Sequence, residues 1–436
     1  MKTIKIGLLG FGVVGSGVVK VLQKNARLIT NRIGVKVELA AIADLDLKTD
    51  RGVKVSPEIL TTDGFSICVN PDIDIVVELV GGMGVAAKFI KTALQNGKHV
   101  VTANKALLSE KGGDLFQLAE EKNLLLLFEA AVGGAIPVVR TMKTDFAGEQ
   151  IEKIYGILNG TCNFILTKLA AGGVEFSEVL ADAQNRGFAE ADPTLDIEGG
   201  DTAHKIALLA SLAWGAKIKF SDIHIEGITK LSAADFIFAQ RLSRVIKLVA
   251  IAKKKFSTDE IEIRVHPTLL PVTSTLAKVS GVMNAVSLHG SNLGEVLLSG
   301  LGAGSLPTAT AVVGDIVEAA RMVITQKLNV PVRGVLPSKI QSLTVKKIDD
   351  IESEFYLRFN VKDQPGVIHE ISGVLAKYKL NVRDILQLDL REFKKDVPLA
   401  IILHVSRESI VREAVLEINK LKCVSGKTVV IHSEEF

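Results

Sequence analysis

The sequence lacks the patterns that would mark a disulfide scaffold, a zinc site or a nucleic-acid-binding protein. Its 436 residues include three scattered cysteines without a CxxC pair, and eight histidines without an HxxxH or HExxH pair. This cysteine usage is typical of a reducing compartment and argues against a disulfide framework. The formal net charge of +3 is close to balance, so we expect no nucleic acid or anionic membrane as a partner.

The chain also lacks a long apolar run. No segment approaches the ~18 uninterrupted apolar residues of a membrane span. The first 22 residues place lysines before an apolar stretch, as signal peptides do, but glycines interrupt the stretch and no small-residue cleavage pattern follows it. We therefore expect a soluble protein of the cytoplasm.

The length favours two or three domains. Residues 1–136 alternate near-continuous apolar strands with amphipathic helices, which predicts an α/β, doubly wound parallel sheet. Residues 137–306 mix strands and helices as an α+β domain does, and a long helix follows over 307–328. A polar linker over 329–350 precedes a tail, 351–436, whose pattern is strand, helix, strand, strand, helix, strand.

The segment GFGVVG after the first strand predicts a dinucleotide site. Gly10, Gly12 and Gly15 give G-x-G-x-x-G between strand and helix, where glycines permit the tight turn and the approach of a pyrophosphate. The motif brings Phe11, Val13 and Val14 to the same loop. Asp44 ends the second strand, where a carboxylate can bind a ribose 2′-hydroxyl, whereas the nearby Lys48 and Arg51 would suit a 2′-phosphate. The residues therefore leave NAD and NADP both open.

Ligands bind at the carboxyl ends of strands in doubly wound sheets, and three further strand ends here carry charged residues, the first of them ELVGG at 78–82. Lys105 follows the strand in KHVVTANK, and Glu129 follows the strand LLLLF. A lysine at the start of a helix is disfavoured by the helix dipole. Lys105 is therefore either a surface lysine or a lysine directed at cofactor or substrate.

The stretch GFAEADPTLDIEGGDTAHK (187–205) combines five carboxylates with Asp-Pro and Gly-Gly turns. Asp201 and Lys205 stand four residues apart on the apolar stripe of the following helix, a spacing that brings their side chains together. One interpretation is an ordinary pair on an exposed first turn. The other is a site for an ammonium-bearing substrate, in which Glu190 and Asp196 bind the amine and Lys205 protonates an oxygen.

Together these motifs resemble those of homoserine dehydrogenases. The resemblance rests on GFGVVGSGV, VVTANKALL, FEAAVGGAIPVV, ILNGTCNFIL, GFAEADPTLDIEGGDTAHK and GLGAGSLPTATAVVGD, in this order. The tail YLRFNVKDQPGVIHEISGVLAKYKLNVRDILQ resembles an ACT domain. The resemblance implies a Rossmann-type nucleotide domain, a catalytic and dimerisation domain, and a βαββαβ ACT domain, with the helix at 307–328 returning to the first of them.

The implied reaction is the reversible reduction of L-aspartate 4-semialdehyde to L-homoserine with NADPH or NADH, in threonine, methionine and isoleucine biosynthesis. By resemblance, Lys205 is the proton donor, Lys105 assists at nicotinamide and substrate, and Glu190 binds the substrate amine with support from Asp196 and Asp201. The family also implies a sodium-type monovalent cation on main-chain oxygens and a cofactor contact. The residues concerned are Glu129, Val132, Gly134 and Ile136 for the cation and Gly302 for the cofactor.

The ACT resemblance implies feedback by L-threonine. Strand edges in such domains pair across subunits and form amino-acid sites, so we expect a homodimer or homotetramer with Asp363, Gly366, Val367 and Asn381 as ligand residues. The alternative is a domain that only joins subunits. We also expect a chain that lacks residues 350–436 to stay active.

Two other functions remain open from the sequence. One is a phosphorylating semialdehyde dehydrogenase that uses Cys162 as an acylating nucleophile, although no histidine base lies near it in sequence. The other is a non-catalytic amino-acid sensor built on the ACT tail, which would bind a cofactor without turnover.

Overall fold

The computed structural model describes residues 3–325, 331–388 and 396–435. The strands are β1 Thr3–Leu9, β2 Lys36–Ala43, β3 Leu60–Thr61, β4 Ile75–Glu78, β5 His99–Thr102, β6 Leu126–Leu127, β7 Ile151–Ile157, β8 His224–Ile225, β9 Arg244–Lys254, β10 Glu260–Pro271, β11 Met283–Gly290, β12 Gly294–Leu301, β13 Thr344–Val345, β14 Glu352–Lys362, β15 Val382–Gln387, β16 Asp396–Arg407 and β17 Val424–Ser433. The helices are α1 Val13–Ile33, α2 Gly64–Val69, α3 Val85–Gln95, α4 Lys105–Glu121, α5 Val138–Lys143, α6 Gly160–Ala170, α7 Phe176–Asn185, α8 Thr194–Ile197, α9 Gly200–Trp214, α10 Ala233–Arg241, α11 Ser305–Thr325, α12 Val367–Lys377 and α13 Glu408–Ile418.

The described residues form two compact units. Unit 1 takes its residues from 3–154, 204–220 and 284–343, and unit 2 from 155–203, 221–283 and 344–435. The chain passes from unit 2 to unit 1 within helix α9, between Ala203 and His204.

Unit 1 contains a six-stranded sheet of order β3-β2-β1-β4-β5-β6. Its strand pairs are parallel throughout, and every residue of β4 and β5 is buried. Strands buried on both faces need apolar side chains at successive positions, which is why they are continuous apolar runs in the sequence. The predicted doubly wound parallel sheet is confirmed, and its strand order is that of a Rossmann fold.

Helix α11 belongs to unit 1, where it packs along α1. The helices approach so closely that a Cβ atom on Gly17 would lie 2.7 Å from the Ser305 hydroxyl. Val18 and Val19 of α1 share a buried core with Val312 and Ile316 of α11. The predicted helix, 307–328, therefore begins two residues earlier, at Ser305, and its positions 326–328 lie outside the described residues, as do linker positions 329–330.

The last part of unit 2 has the predicted order of elements, β14, α12, β15, β16, α13 and β17. Its strands lie in the spatial order β17-β14-β16-β15 with antiparallel neighbours. Helices α12 and α13 bury Ile371, Leu375, Val411 and Ile418 against this sheet. The βαββαβ arrangement predicted for the tail is confirmed.

This tail shares a sheet with the preceding part of unit 2. Strand β17 pairs in parallel with β10, and the ring of His432 stacks on that of His266 at 4.0 Å between centroids. Burial is the main reason that the pKa of His266 falls to about 3, so the ring is neutral at the join. The buried Arg264 of β10 also pairs with Glu434 just after β17.

A second contact joins the tail to α10. The carboxylate of Asp235, fully buried, accepts hydrogen bonds from Arg358 Nε at 2.6 Å and from the Tyr356 hydroxyl at 2.9 Å. Removal of residues 350–436 would leave Asp235 and Arg264 without these partners and expose β10. The activity expected of the truncated chain stays a prediction.

Candidate active site

Two glycines shape the loop between β1 and α1. Gly10 has φ 95°, and a Cβ atom there would lie 2.7 Å from the carbonyl oxygen of Leu79. A Cβ atom on Gly15 would lie 2.1 Å from the carbonyl oxygen of Gly10. Gly12, by contrast, precedes α1 with no atom within 4 Å of its Cβ position. The loop thus leaves open space at the N-terminus of α1, where a pyrophosphate binds in dinucleotide sites.

Asp44 holds this loop from the end of β2. Its carboxylate accepts hydrogen bonds from the backbone N–H of Phe11 at 2.6 Å and of Asp46 at 2.9 Å. Gly10, Gly12 and Asp44 line a cavity of about 330 Å³ in unit 1. The sequence motif and the acidic strand end therefore meet at one cavity that fits a dinucleotide.

Arg51 is the basic residue that the structure places beside Asp44. Its Nη2 atom lies 4.0 Å from Asp44 Oδ1 and 3.1 Å from Asp46 Oδ2, and the side chain is 20% exposed. Hydrogen bonds from Thr49 are the main reason that the pKa of Asp46 falls to about 2, so this carboxylate is charged. Lys48, the other basic residue considered, is exposed. Asp44, which lines the cavity, thus has a guanidinium 4.0 Å away.

The loop before α11 lies close to the start of α1. The Ser305 hydroxyl donates a hydrogen bond to the carbonyl oxygen of Val13 at 2.7 Å. Val13 itself is exposed and Val14 is half-buried. Gly302, three residues before Ser305, packs so tightly that a Cβ atom there would lie 1.9 Å from Asn284 Nδ2. Gly302 therefore lies in the loop before Ser305, the residue that contacts the glycine motif at Val13.

A polar network in the ELVGG and TANK segments orders the ends of β4 and β5. The buried carboxylate of Glu78 accepts hydrogen bonds from the backbone of the following turn and from the Thr102 hydroxyl at 2.7 Å. Asn104 donates to the carbonyl oxygen of Gly82 at 2.6 Å and caps helix α4. Lys105 is the first residue of that helix and half-buried, which fixes its backbone at the edge of the sheet.

Lys205 is buried in unit 1, 8% exposed, on helix α9. The preceding residue, His204, contacts Glu110 of α4 with 3.0 Å between Nε2 and Oε1. The helix that begins at Lys105 is thereby tied to the helix that carries Lys205. Asp201, one turn earlier on α9, is 4% exposed, so the interpretation of an exposed surface pair is wrong.

In unit 2, Asp196 and Asp201 share one partner that sequence reasoning did not assign. Asn159 Nδ2 lies 2.7 Å from Asp196 Oδ1 and 2.9 Å from Asp201 Oδ2. The Thr161 hydroxyl donates to the carbonyl oxygen of Phe188 at 2.6 Å and lies 3.2 Å from Asp196 Oδ2. Glu190 lies on an exposed loop, where its main-chain oxygen accepts a bond from Gln184. Two of the three predicted carboxylates are thus brought together.

The Glu129 carboxylate is turned away from the loop that follows it. It is 3% exposed and accepts hydrogen bonds at 2.8 Å from the backbone N–H groups of Val139 and Arg140. Its backbone N–H donates to Asp315 Oδ2 at 2.9 Å. Burial raises the pKa of Glu129, and it raises that of Asp315 to about 8 although Arg140 pairs with Asp315 at 2.8 Å.

The segment from Glu129 to Ile136 is a compact backbone loop. It contains a 3-10 turn and two consecutive glycines with positive φ, Gly133 at 73° and Gly134 at 56°. Val132 and Ile136 are buried. Among the described residues no cluster of three or more His, Cys, Asp or Glu side chains could hold a metal ion. A cation in this loop would therefore depend on main-chain oxygens, a hard donor set.

Cys162 is placed poorly for acylation. It is fully buried, and its thiol lies 3.2 Å from the carbonyl oxygen of Asp196. Its backbone N–H donates to Asn159 Oδ1, which caps helix α6. The residue is a packed part of the start of α6, as buried structural cysteines are.

In the tail, a cavity of about 320 Å³ lies at the turn from β14 to α12. Its lining includes Asp363, Gly366 and Val367, with Gln387 and Leu399 from β15 and β16. Asn381 lies elsewhere, because it precedes β15 and its carbonyl oxygen accepts a bond from His404 at 3.0 Å. Three of the four predicted ligand residues thus come together within the chain.

The parallel sheet, its glycine loop and the cavity beside Asp44 define a dinucleotide-binding protein of the Rossmann class. Residues 10–129 match the family model of the homoserine dehydrogenase NAD-binding domain, residues 137–317 that of homoserine dehydrogenase, and residues 355–422 that of the ACT domain. The chain belongs to the homoserine dehydrogenase family and carries an ACT domain.

Two similar proteins match the whole length of the chain, and a third matches three quarters of it. A homoserine dehydrogenase of Neisseria gonorrhoeae is 41% identical over 435 residues, which covers 100% of this chain and 99% of the relative. The crystal structure of a homoserine dehydrogenase from Thiobacillus denitrificans is similar with a TM-score of 0.93 at 38% identity, covering 100% of this chain and 99% of that one. A hyperthermophilic archaeal homoserine dehydrogenase in complex with NADPH has a TM-score of 0.62 at 26% identity, over 75% and 99% of the two chains.

These findings confirm the resemblance seen in the sequence and the expectation of an NAD(P)-dependent enzyme. The alternative of a non-catalytic sensor is therefore wrong. Neither the comparisons nor the buried position of Cys162 favours a phosphorylating dehydrogenase. No helix among the described residues has the length and apolar character that crossing a bilayer requires.

Proposed function

We propose that the chain reduces L-aspartate 4-semialdehyde reversibly to L-homoserine, in the route to threonine, methionine and isoleucine. When bound, NADPH or NADH supplies the hydride. Lys205 holds a proton for the aldehyde oxygen, Lys105 orients nicotinamide and substrate, and Glu190 binds the substrate amine. The observation that carries the proposal is the buried lysine one turn after Asp201, on a helix that the contact between His204 and Glu110 ties to α4.

A lysine suits this role because its ammonium group can donate a proton to an oxygen within hydrogen-bond reach. The carboxylates at 196 and 201 provide negative charge for an ammonium-bearing substrate, and each is hydrogen-bonded through Asn159. A substrate with both an aldehyde and an amine matches these groups.

The test is the oxidation of NADPH and NADH with aspartate semialdehyde by wild type, Lys205→Ala and Lys205→Arg. General acid catalysis contributes typically ~10²–10⁴-fold, so we expect a loss of this size in kcat for both variants. Arginine keeps the charge but does not release a proton near neutral pH, so it separates acid catalysis from electrostatic stabilisation. Cofactor affinity should change little, and the exposed Lys217→Ala serves as a control. Wild-type turnover in Lys205→Ala would refute the assignment and leave Lys105 as the candidate acid.

We propose further that Gly10 to Gly15, Lys105 and Gly302 bind the cofactor, and that both NADH and NADPH are accepted. The proposal is supported by the open space at Gly12 and by the position of Arg51 4.0 Å from Asp44, which lines the cavity. Asp44 suits a free 2′-hydroxyl, and Arg51 suits a 2′-phosphate.

A sodium-type cation on the main-chain oxygens of Glu129, Val132, Gly134 and Ile136 completes the proposal. The loop suits such a ligand set because the Glu129 carboxylate is already used by two backbone N–H groups. Binding to the folded state raises its stability by RT ln(1 + [L]/Kd). The melting temperature should therefore rise with sodium chloride relative to choline chloride at equal ionic strength. Equal melting curves in the two salts would count against the site.

We propose that L-threonine binds at Asp363, Gly366 and Val367 and inhibits the enzyme. Asn381 belongs to this site only if a second subunit supplies it, since within one chain it precedes the opposite end of β15. Gly366 has φ 96° and a Cβ atom there meets nothing within 4 Å, so Gly366→Ala strains the turn without a clash. Threonine should inhibit wild type and act more weakly on this variant.

D-Threonine and L-alanine are the controls for this effect. An intact protein whose activity, melting temperature and oligomeric state ignore L-threonine would leave the ACT domain a structural role only. The cytoplasmic location and the homodimer or homotetramer expected from the sequence stay predictions.

A further inference from the structure

The environment of Asn159 is built around two carboxylates from different helices. Asn159 follows β7, is 6% exposed, and lies opposite Asp196 of α8 and Asp201 of α9. Both hydrogens of its amide are used, one on each carboxylate, at 2.7 and 2.9 Å between heavy atoms. Its oxygen accepts the backbone N–H of Cys162 at 2.8 Å, which caps α6. One side chain therefore ties three helices together.

The chemistry of the position allows few other residues. Two carboxylates held near one another repel, and a neutral group with two N–H donors relieves both while it leaves each carboxylate free to accept further bonds. A hydroxyl has one donor only, and a third carboxylate has none. Asparagine alone among short side chains combines two donors with an acceptor for the helix cap.

We infer that Asn159 is a positioning residue for the proposed reduction, which holds Asp196 and Asp201 in the arrangement that binds the substrate's ammonium group. The inference rests on the proposed function for the substrate but on the contacts above for the geometry. Asn159 itself touches the two carboxylates and acts through them. A displacement of about 1 Å in such groups costs roughly 10²-fold in rate.

Asn159→Asp is the informative variant. Aspartate has the same shape and caps helices as well as asparagine does, so α6 keeps its first turn. Its carboxylate, however, faces Asp196 from α8 and Asp201 from α9. Thr161 and Cys162 supply uncharged groups, and the cation nearest to Asp201 in the chain is Lys205, one turn after it on α9. Three carboxylates in this space hold a proton more tightly than two, so their repulsion is relieved as the pH falls.

Asn163→Asp is a matched control on the same helix. Asn163 is 2% exposed, donates to the carbonyl oxygen of Met283 at 3.0 Å and accepts from Lys247 Nζ at 2.9 Å. The same chemical change there places the new carboxylate beside a lysine and away from Asp196 and Asp201. Asn163→Asp therefore measures the effect of losing a buried amide on α6 without adding a charge beside Asp196 and Asp201.

We expect Asn159→Asp to lose about 10²-fold in kcat/KM for aspartate semialdehyde at pH 8, mainly through KM, with unchanged NADPH affinity. The loss should shrink at pH 6 by more than any change in Asn163→Asp, where burial lowers the pKa of the neighbouring Lys247 to about 8. Melting temperatures test the geometry without turnover, because the deficit of Asn159→Asp relative to wild type should also shrink between pH 8 and pH 6.

These measurements test the proposed function and the positioning role of Asn159 separately. A wild-type protein without turnover of the semialdehyde defeats the proposed function, while a pH-dependent melting deficit in Asn159→Asp still supports the bridge. If wild type turns over and Asn159→Asp matches Asn163→Asp in both its pH profile and its KM, the positioning role is overturned.

Discussion

Replacement of Asp44 by asparagine tests whether this carboxylate disfavours a cofactor that carries a 2′-phosphate. The Asp44 carboxylate accepts two backbone hydrogen bonds that shape the glycine loop. Asp44→Ala would remove both and disturb the binding of either cofactor. Asp44→Asn removes the charge while its amide oxygen keeps one acceptor, so it isolates electrostatic repulsion from loop geometry.

The magnitude follows from the position of the carboxylate. The Asp44 side chain is 18% exposed, so its charge is screened less than in bulk water but more than in a dry interior. Two charges 4 Å apart interact by about 1 kcal/mol in water and about 4 kcal/mol at an effective dielectric constant of 20. An intermediate value of about 1.4–2.8 kcal/mol corresponds to a roughly 10–100-fold shift of the ratio of kcat/KM for NADPH to that for NADH.

Steady-state assays with both cofactors, and their Kd values from nicotinamide fluorescence, measure this shift. Arg51→Ala should move the ratio in the opposite direction, since it removes the guanidinium 4.0 Å from Asp44. Lys48→Ala, a change at an exposed lysine, should leave the ratio unchanged. A ratio within twofold of wild type in Asp44→Asn would mean that this carboxylate does not face the 2′ position.

Three further predictions concern groups on which the sites depend. Gly12→Ala should keep the wild-type melting temperature, because its Cβ atom meets nothing within 4 Å, yet it should raise the Kd of NADPH at least tenfold. Gly15→Ala should have a lower melting temperature, because its Cβ atom would lie 2.1 Å from the Gly10 carbonyl oxygen. Burial raises the pKa of Asp315 to about 8, whereas an unfolded aspartate has a pKa near 3.9. The protonated carboxyl therefore stabilises the folded state fully below about pH 4, and this stabilisation is lost as the pH rises through 8. Asp315→Asn cannot lose that proton, so its melting temperature relative to wild type should rise between pH 5 and pH 8.5; a relative decrease would show that Asp315 is ionised by Arg140. Asp235→Ala should lower the free energy of unfolding by about 3–5 kcal/mol, because it removes the carboxylate that pairs with the buried Arg358. The double variant Asp235→Ala with Arg358→Met should be less destabilised than Asp235→Ala alone. A more strongly destabilised double variant would contradict this account.

The nucleotide domain was readable from the sequence because its strands are buried on both faces. β4 and β5 are continuous apolar segments, and the glycine motif marks the turn between β1 and α1. Helix ends were read less well. Helix α1 ends at Ile33, where Gly34 with φ 77° donates its N–H to the carbonyl oxygen of Thr30. Polar residues over its last turn make this end difficult to locate from the sequence.

Elements whose role depends on distant partners were missed. Strand β9 pairs with β10 along 11 residues, and its charged ends gave no alternating pattern. The NGT segment carried a helix-cap signal at Asn159, which predicts the start of α6 but not the two aspartates 37 and 42 residues later. Periodicity assigned Asp201 and Lys205 to the buried side of α9, because that inference needs only one helix. A bridge between helices depends on tertiary packing, which local patterns do not contain.

The structure of the tail was also only partly predictable from the sequence, and the part that was missed bears on the proposed regulation. Its βαββαβ order was predictable, but the parallel pairing of β17 with β10 was not, since Thr268 and His432 are 164 residues apart in the chain. The ACT domain is thereby continuous in hydrogen bonding with β10, and the stacked rings of His266 and His432 lie at the junction. A change of packing at the turn near Gly366 can reach β10 through β14 and β17, which pair directly. Truncation removes this route together with part of the sheet, so a single substitution at the turn separates regulation from folding where deletion cannot.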